Sequence, residues 1–111
     1  MNLNRTSVAS LRLLPKFIKN KLGMYSPFFA QWEITYNCNL RCIFCNVYKD
    51  HSYDKHQLNT EEALIFLNDL KKAGIIFLNF TGGEPLIRKD IHIILKHAVK
   101  NGFIISMNCN A

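Results

Sequence analysis

Apolar and polar positions alternate from Phe28 to Thr35. Phe28, Ala30, Trp32 and Ile34 share one face, and Gln31, Glu33 and Thr35 share the other. That period of two predicts a half-buried strand. A polar stretch from Lys49 to Gln57 reads as loop. Asn59 and Glu62 then stand at capping-box spacing before a helical stripe of Ala63, Phe66, Leu67 and Leu70, which Gly74 ends. The run Ile75 to Phe80 is nearly continuous in apolar residues, as expected of a strand in a parallel sheet covered by helices. Thr81 to Pro85 reads as a turn. Asp90 is placed to cap a second helix bearing Ile91, Ile94, Leu95 and Ala98, stopped by Gly102, and Phe103 to Asn110 predicts a third strand. Strand, helix, strand, helix, strand is the order of an α/β domain with parallel strands and right-handed crossovers.

Parity assigns the faces. Phe103, Ile105 and Met107 oppose Ser106, Asn108 and Asn110, while Asn79 and Thr81 are the polar members of the second strand. Helices are expected over the apolar faces, with the polar faces converging on a lumen that suits a polar ligand. Glu33 is then a candidate lumen carboxylate. By the same parity Cys109 points toward the helices and is expected to be an inert core thiol.

Before the first strand, residues 5–22 form a basic amphipathic pattern with Val8, Leu11, Leu14 and Ile18 at helical spacing, and Pro15 is a point where the helix can break. Three readings stand. The favoured one packs the apolar stripe across the domain and leaves the basic face in water; the others are a membrane-surface helix and an organelle transit peptide. The expected division is a basic helical segment over 1–27 and a core over 28–111.

Composition narrows the class. The 111 residues are 49% hydrophobic and 20% charged, an ordinary globular balance, and no run approaches the roughly 18 apolar residues of a spanning helix. The net charge of +6 is uneven: Arg5, Arg12, Lys16, Lys19 and Lys21 precede Glu33 with no acidic residue among them, and from Glu33 onward nine basic residues meet eight acidic ones. The body of the domain is therefore close to neutral, and no nucleic-acid partner is expected.

Cys38, Cys42 and Cys45 carry the chemistry. A C-x3-C-x2-C loop directly after a strand can bring three thiolates to one soft metal centre, and such clustering fits a reducing, cytoplasmic setting better than a disulfide framework. Two readings follow. Zinc completed by His51, His56 or Cys109 would make a zinc-stabilised binding or adaptor module. An iron–sulfur cubane held by three thiolates would keep one iron open for another ligand, as catalytic metal sites do.

The cysteine loop, with aromatic Phe44 before its last cysteine, resembles the cluster loop of the radical S-adenosylmethionine superfamily. Gly82-Gly83-Glu84-Pro85 after the second strand is similar to that family's glycine-glycine-glutamate motif. The resemblance covers about residues 28 to 111. It implies the N-terminal half of a partial (β/α)6 TIM-like barrel. It also implies a [4Fe–4S] cluster on Cys38, Cys42 and Cys45, with S-adenosylmethionine on its open iron. One electron from the reduced cluster would split the sulfonium to methionine and a 5′-deoxyadenosyl radical, which takes hydrogen from an unidentified substrate. Gly82, Gly83 and Glu84 would bind the methionine end of the cofactor, and the adenine would lie near Phe44 and Cys45, with the Phe44 ring shielding the cluster. The electron donor would be an acidic flavodoxin or ferredoxin, for which the basic N-terminal face is a candidate docking patch. Six strand–helix units need roughly 200 residues. Three strands and two helices are therefore expected to hold a cluster but to turn over S-adenosylmethionine poorly alone. The third strand ends at Asn110-Ala111, near where the family often has asparagine–glycine.

Overall fold

A computed structural model of the protein describes residues 5–47 and 57–110. The loop expected over Lys49 to Gln57, with His51 and His56, thus lies almost wholly outside the described residues. Helix α1 (Arg5–Lys21) leads into strand β1 (Phe29–Thr35), followed by α2 (Thr60–Lys72), β2 (Phe77–Gly82), a 3-10 turn (Pro85–Ile87), α3 (Ile91–Lys100) and β3 (Ile104–Met107). The three strands form one parallel sheet in the order β1-β2-β3. The fold is α/β, as the opening strands and helices of a TIM-like barrel would be arranged.

Register explains how the faces separate. Ala30, Leu78 and Ile105 stand side by side across the sheet, as do Trp32, Phe80 and Met107. Onto this apolar face α2 sets Ala63 and Leu67, and α3 sets Ile94 and Ala98, all four fully buried. Trp32 meets Phe66 of α2 edge-on at 5.0 Å between ring centroids. On the opposite face Gln31, Asn79 and Ser106 align, and the Ser106 hydroxyl donates to Asn79 Oδ1 at 2.8 Å.

Local chemistry sets the helix ends. The capping box at α2 forms as expected: Asn59 Oδ1 accepts from the Glu62 N–H, and Glu62 accepts from the Asn59 N–H, both at 2.9 Å. Asp90 does stand at the N-cap of α3, but its side chain makes no capping bond. Its carboxylate instead accepts from Arg88 Nε at 2.7 Å and from the Thr60 hydroxyl at 2.6 Å.

That difference exposes a buried polar hub. Arg88 is 7% exposed and also donates to the Ile34 carbonyl at 2.8 Å and the Leu58 carbonyl at 2.7 Å. Ile34 can supply that carbonyl because the β1–β2 register slips between Glu33 and Thr35, leaving it as an extra residue in the ladder. One guanidinium thus ties the end of β1 to the starts of α2 and α3. Arg88→Met is expected to lower the unfolding free energy by about 3–5 kcal/mol, because it strands a carboxylate and two carbonyls; denaturant melts measure this. The Arg88 hydrogen bond, followed by that of Thr60, holds the Asp90 pKa down from 3.8 to about 2 against the opposing effect of burial. A depressed carboxylate stabilises the fold above pH 4 and loses that contribution as pH falls toward 2. The acid-dependent loss in that window should shrink in Arg88→Met.

Three expectations are corrected. Helix α1 runs through Pro15 without a break; Pro15 is exposed, so water can satisfy the carbonyl that its missing N–H leaves unpaired. The apolar stripe of α1 does not pack on the domain. The helix is seated instead by buried Ala9, by Arg12 donating to the Gly102 carbonyl at 2.7 Å, and by Lys16 donating to the Pro27 carbonyl at 2.7 Å. Burial, then the cations of Lys19 and Arg12, lower the Lys16 pKa below its ordinary value. Finally, β3 is four residues long, and strand parity does not carry to Cys109, which is exposed rather than a core thiol.

Candidate functional site

The cysteine loop leaves the C-terminal end of β1, and the glycine-glycine-glutamate turn leaves the C-terminal end of its neighbour β2. Parallel pairing therefore brings the two motifs to the same edge of the sheet. Backbone hydrogen bonds join them: the Gly83 N–H donates to the Thr35 carbonyl and the Glu84 N–H to the Asn37 carbonyl, both at 2.8 Å. Thr35 is buried, and its hydroxyl accepts from the Asn37 N–H at 3.2 Å. The residue before the first cysteine is thus fixed to the turn.

The glycines are what permit this approach. Gly82 has φ +121°, and a Cβ there would overlap the Thr35 carbonyl oxygen; a Cβ on Gly83 would overlap that of Asn37. Their expected part was to let backbone come close to a ligand. In the structure they let one motif come close to the other.

Glu84 is 2% exposed. One carboxylate oxygen accepts from the Leu86 N–H at 3.0 Å, closing the 3-10 turn, and the other accepts from the Asn110 N–H at 2.7 Å, anchoring the chain just beyond β3. Asn110 in turn reaches the cysteine loop, its amide donating to Asn39 Oδ1 at 3.0 Å and lying 4.0 Å from Cys38 Sγ. Sequence reasoning missed this connection. Asn110 was visible as a polar member of the third strand, but nothing in one sequence tells which backbone N–H a glutamate will meet.

Cys38, Cys42 and Cys45 are free thiols, each half-buried. The Leu40 N–H donates to Cys38 Sγ at 3.4 Å, the Cys45 N–H donates to the Cys42 carbonyl at 3.1 Å, and Arg41 folds back onto the Cys38 carbonyl at 2.8 Å. Three thiols on one loop, with N–H donors and a guanidinium beside them, suit an anionic iron–sulfur group whose potential is tuned by hydrogen bonds to sulfur. Among the described residues no three cysteine, histidine or acidic side chains already converge as a metal site. Metal binding commonly completes such convergence, because unscreened thiolates repel until the ion holds them.

The remaining candidates are placed less closely. Phe44 is 86% exposed, as is most of neighbouring Ile43. Glu33 is exposed and stands in register with Thr81. His97 pairs with Asn68 at 2.9 Å on the helical side, outside any metal constellation. A cavity of about 640 Å³ opens beside the root of the cysteine loop, bounded by Thr35, Asn37, Asn59, Thr60 and Asp90.

The family described as the Radical SAM superfamily matches residues 32–111. Mycofactocin maturase MftC of Mycolicibacterium smegmatis is 25% identical over 104 residues, which are 93% of this chain and 26% of that protein. The AdoMet-dependent heme synthase of Methanosarcina barkeri is 32% identical over 85 residues, 77% of this chain and 24% of that protein. The chain thus spans about a quarter of the length of these relatives. No solved structure matches it.

Proposed function

Because the chain belongs to the radical S-adenosylmethionine superfamily, we propose that it is the cluster-binding part of an enzyme that reductively cleaves S-adenosylmethionine to start radical chemistry. The observation that carries this reading is the pair of backbone hydrogen bonds from Gly83 and Glu84 to Thr35 and Asn37, which hold the cysteine loop against the turn. Cys38, Cys42 and Cys45 would hold a [4Fe–4S] cluster. When bound, such a cluster would supply the one electron needed for reductive cleavage of a carbon–sulfur bond of S-adenosylmethionine.

The protein's own residues position and shield. Gly82 and Gly83 present backbone at the site where the methionine end of the cofactor would lie. Glu84 has one N–H on each carboxylate oxygen and keeps further lone pairs for an ammonium, so it both shapes the turn and can orient that group. Leu40 and Asn110 direct N–H groups at Cys38. Phe44, exposed here, would cover the cluster or the adenine only once those groups are in place. A flavodoxin or ferredoxin donor belongs to this reading, as does work in the reducing cytoplasm. The relatives' names, a maturase and a heme synthase, favour a substrate among cofactor precursors.

The test is anaerobic reconstitution with iron and sulfide, followed by metal analysis and addition of dithionite and S-adenosylmethionine. The expected protein is brown, contains iron and sulfide, and releases 5′-deoxyadenosine slowly, since three strands leave much of a cofactor cleft unbuilt. Stoichiometric zinc that iron cannot replace would sink the proposal in favour of the adaptor reading. Multiple turnovers by the monomer would show that three strands suffice.

A further inference from the structure

Helix α1 is seated with its apolar stripe turned outward. Leu11 is 70% exposed, Leu14 58%, Ile18 52% and Leu22 69%, and Met24 and Tyr25 extend the exposed apolar surface beyond the helix end. The domain is instead met by Ala9, Arg12, Lys16 and Phe17, the last with its ring 6.3 Å from that of Phe28. At about 100° per residue the four stripe residues fall on one side of the helix, with Lys21 on one flank and Lys19 on the other, while Arg12 and Lys16 turn toward the domain. No acidic residue occurs before Glu33.

From this placement we infer that α1 is a membrane-surface helix, lying in the headgroup region of an anionic bilayer with Leu11, Leu14, Ile18 and Leu22 among the acyl chains. A 17-residue helix is about 25 Å long, ample for an in-plane helix. No helix among the described residues is long and apolar enough to cross a membrane. An apolar stripe with basic flanks is the composition such helices use, the lysine stems snorkelling back to the phosphates. Charge decides between occupants. A second copy of the chain would set basic flanks against basic flanks, whereas anionic lipid headgroups complement them. The inference does not depend on the iron–sulfur reading, because none of these residues belongs to the cysteine loop or the glycine turn.

Flotation of the chain with vesicles tests it. Binding is expected to vesicles of phosphatidylcholine mixed with phosphatidylglycerol, with little to phosphatidylcholine alone, and to weaken as salt is raised. Lys19→Gln and Lys21→Gln should each reduce binding about 5-fold. The triple variant Leu11→Gln, Ile18→Gln and Leu22→Gln should lose it while melting like the parent, because these side chains are outside the core. Absence of binding to the anionic vesicles, or binding indifferent to the triple variant, would overturn the inference. So would a dimer that the same variant dissociates without any vesicle binding, which would make the stripe a self-association face.

Discussion

Replacing Cys38, Cys42 or Cys45 with alanine should leave reconstituted protein without bound iron and sulfide, and therefore colourless. The loop's three thiols are the expected cluster ligands, so losing one leaves two thiolates for four irons. Cys109 lies outside that loop, exposed beyond β3. The loss of 5′-deoxyadenosine release should exceed the roughly 10–100-fold that changes beside a metal ligand cost. Cys109→Ala is the matched control and should keep colour, iron and sulfide. Iron, sulfide and visible absorption of the four variants, prepared side by side, decide the matter. A cluster that survives Cys38→Ala but not Cys109→Ala would transfer the ligand role.

The second large effect is expected at the glycines, and it is a loss of stability as well as of cluster binding. Gly82→Ala places a Cβ into the Thr35 carbonyl oxygen at a backbone angle that L side chains rarely adopt. Backbone strain and overpacking each cost about 1–3 kcal/mol, so a destabilisation on the order of 3 kcal/mol is expected. Gly83→Ala meets the Asn37 carbonyl in the same way. The obstructing atoms are backbone in both cases, so no rotamer change can relieve them. Gly23 separates strain from crowding: it also has positive φ, but a Cβ there meets nothing within 4 Å, and Gly23→Ala should cost only about 1 kcal/mol. Because Gly83 and Glu84 donate to Thr35 and Asn37, the two crowded variants should also detach the root of the cysteine loop and lower iron uptake. Denaturant melts combined with iron analysis measure both parts. If Gly82→Ala and Gly23→Ala cost the same, close approach of the motifs is not what the glycine provides.

These effects bear on how the site is built. The loop that carries the thiols is irregular, with internal bonds from Leu40, Arg41 and Cys45. It is also held from outside, through the buried Thr35, the glycine turn, and Asn110, which Glu84 anchors. Arg88 secures the same end of β1 from the helical side by its bond to the Ile34 carbonyl. The loop thus stands between two sets of hydrogen bonds contributed by β2, β3 and the start of α3.

The amino-acid sequence by itself determined the order of elements, the helix faces, the capping box at Asn59 and the identity of the two motifs. Each of these is written in residues close together along the chain: the period of two in β1, the stripes of α2 and α3, the spacing of three cysteines. The tertiary structure decided what depends on partners far away in sequence. It spent the Asp90 carboxylate on Arg88 and Thr60 instead of on a cap, because a buried guanidinium attracts a carboxylate more strongly than a helix terminus does. It joined Gly83 and Glu84 to the foot of the cysteine loop, since parallel strands bring their C-terminal ends to one edge. It ended β3 at Met107, so that parity no longer governed Cys109. It also turned the stripe of α1 outward, because Arg12 and Lys16 found carbonyl acceptors on the domain. Hydrophobic periodicity says that a helix has two faces, but which face meets the body is set by the partners that each one finds.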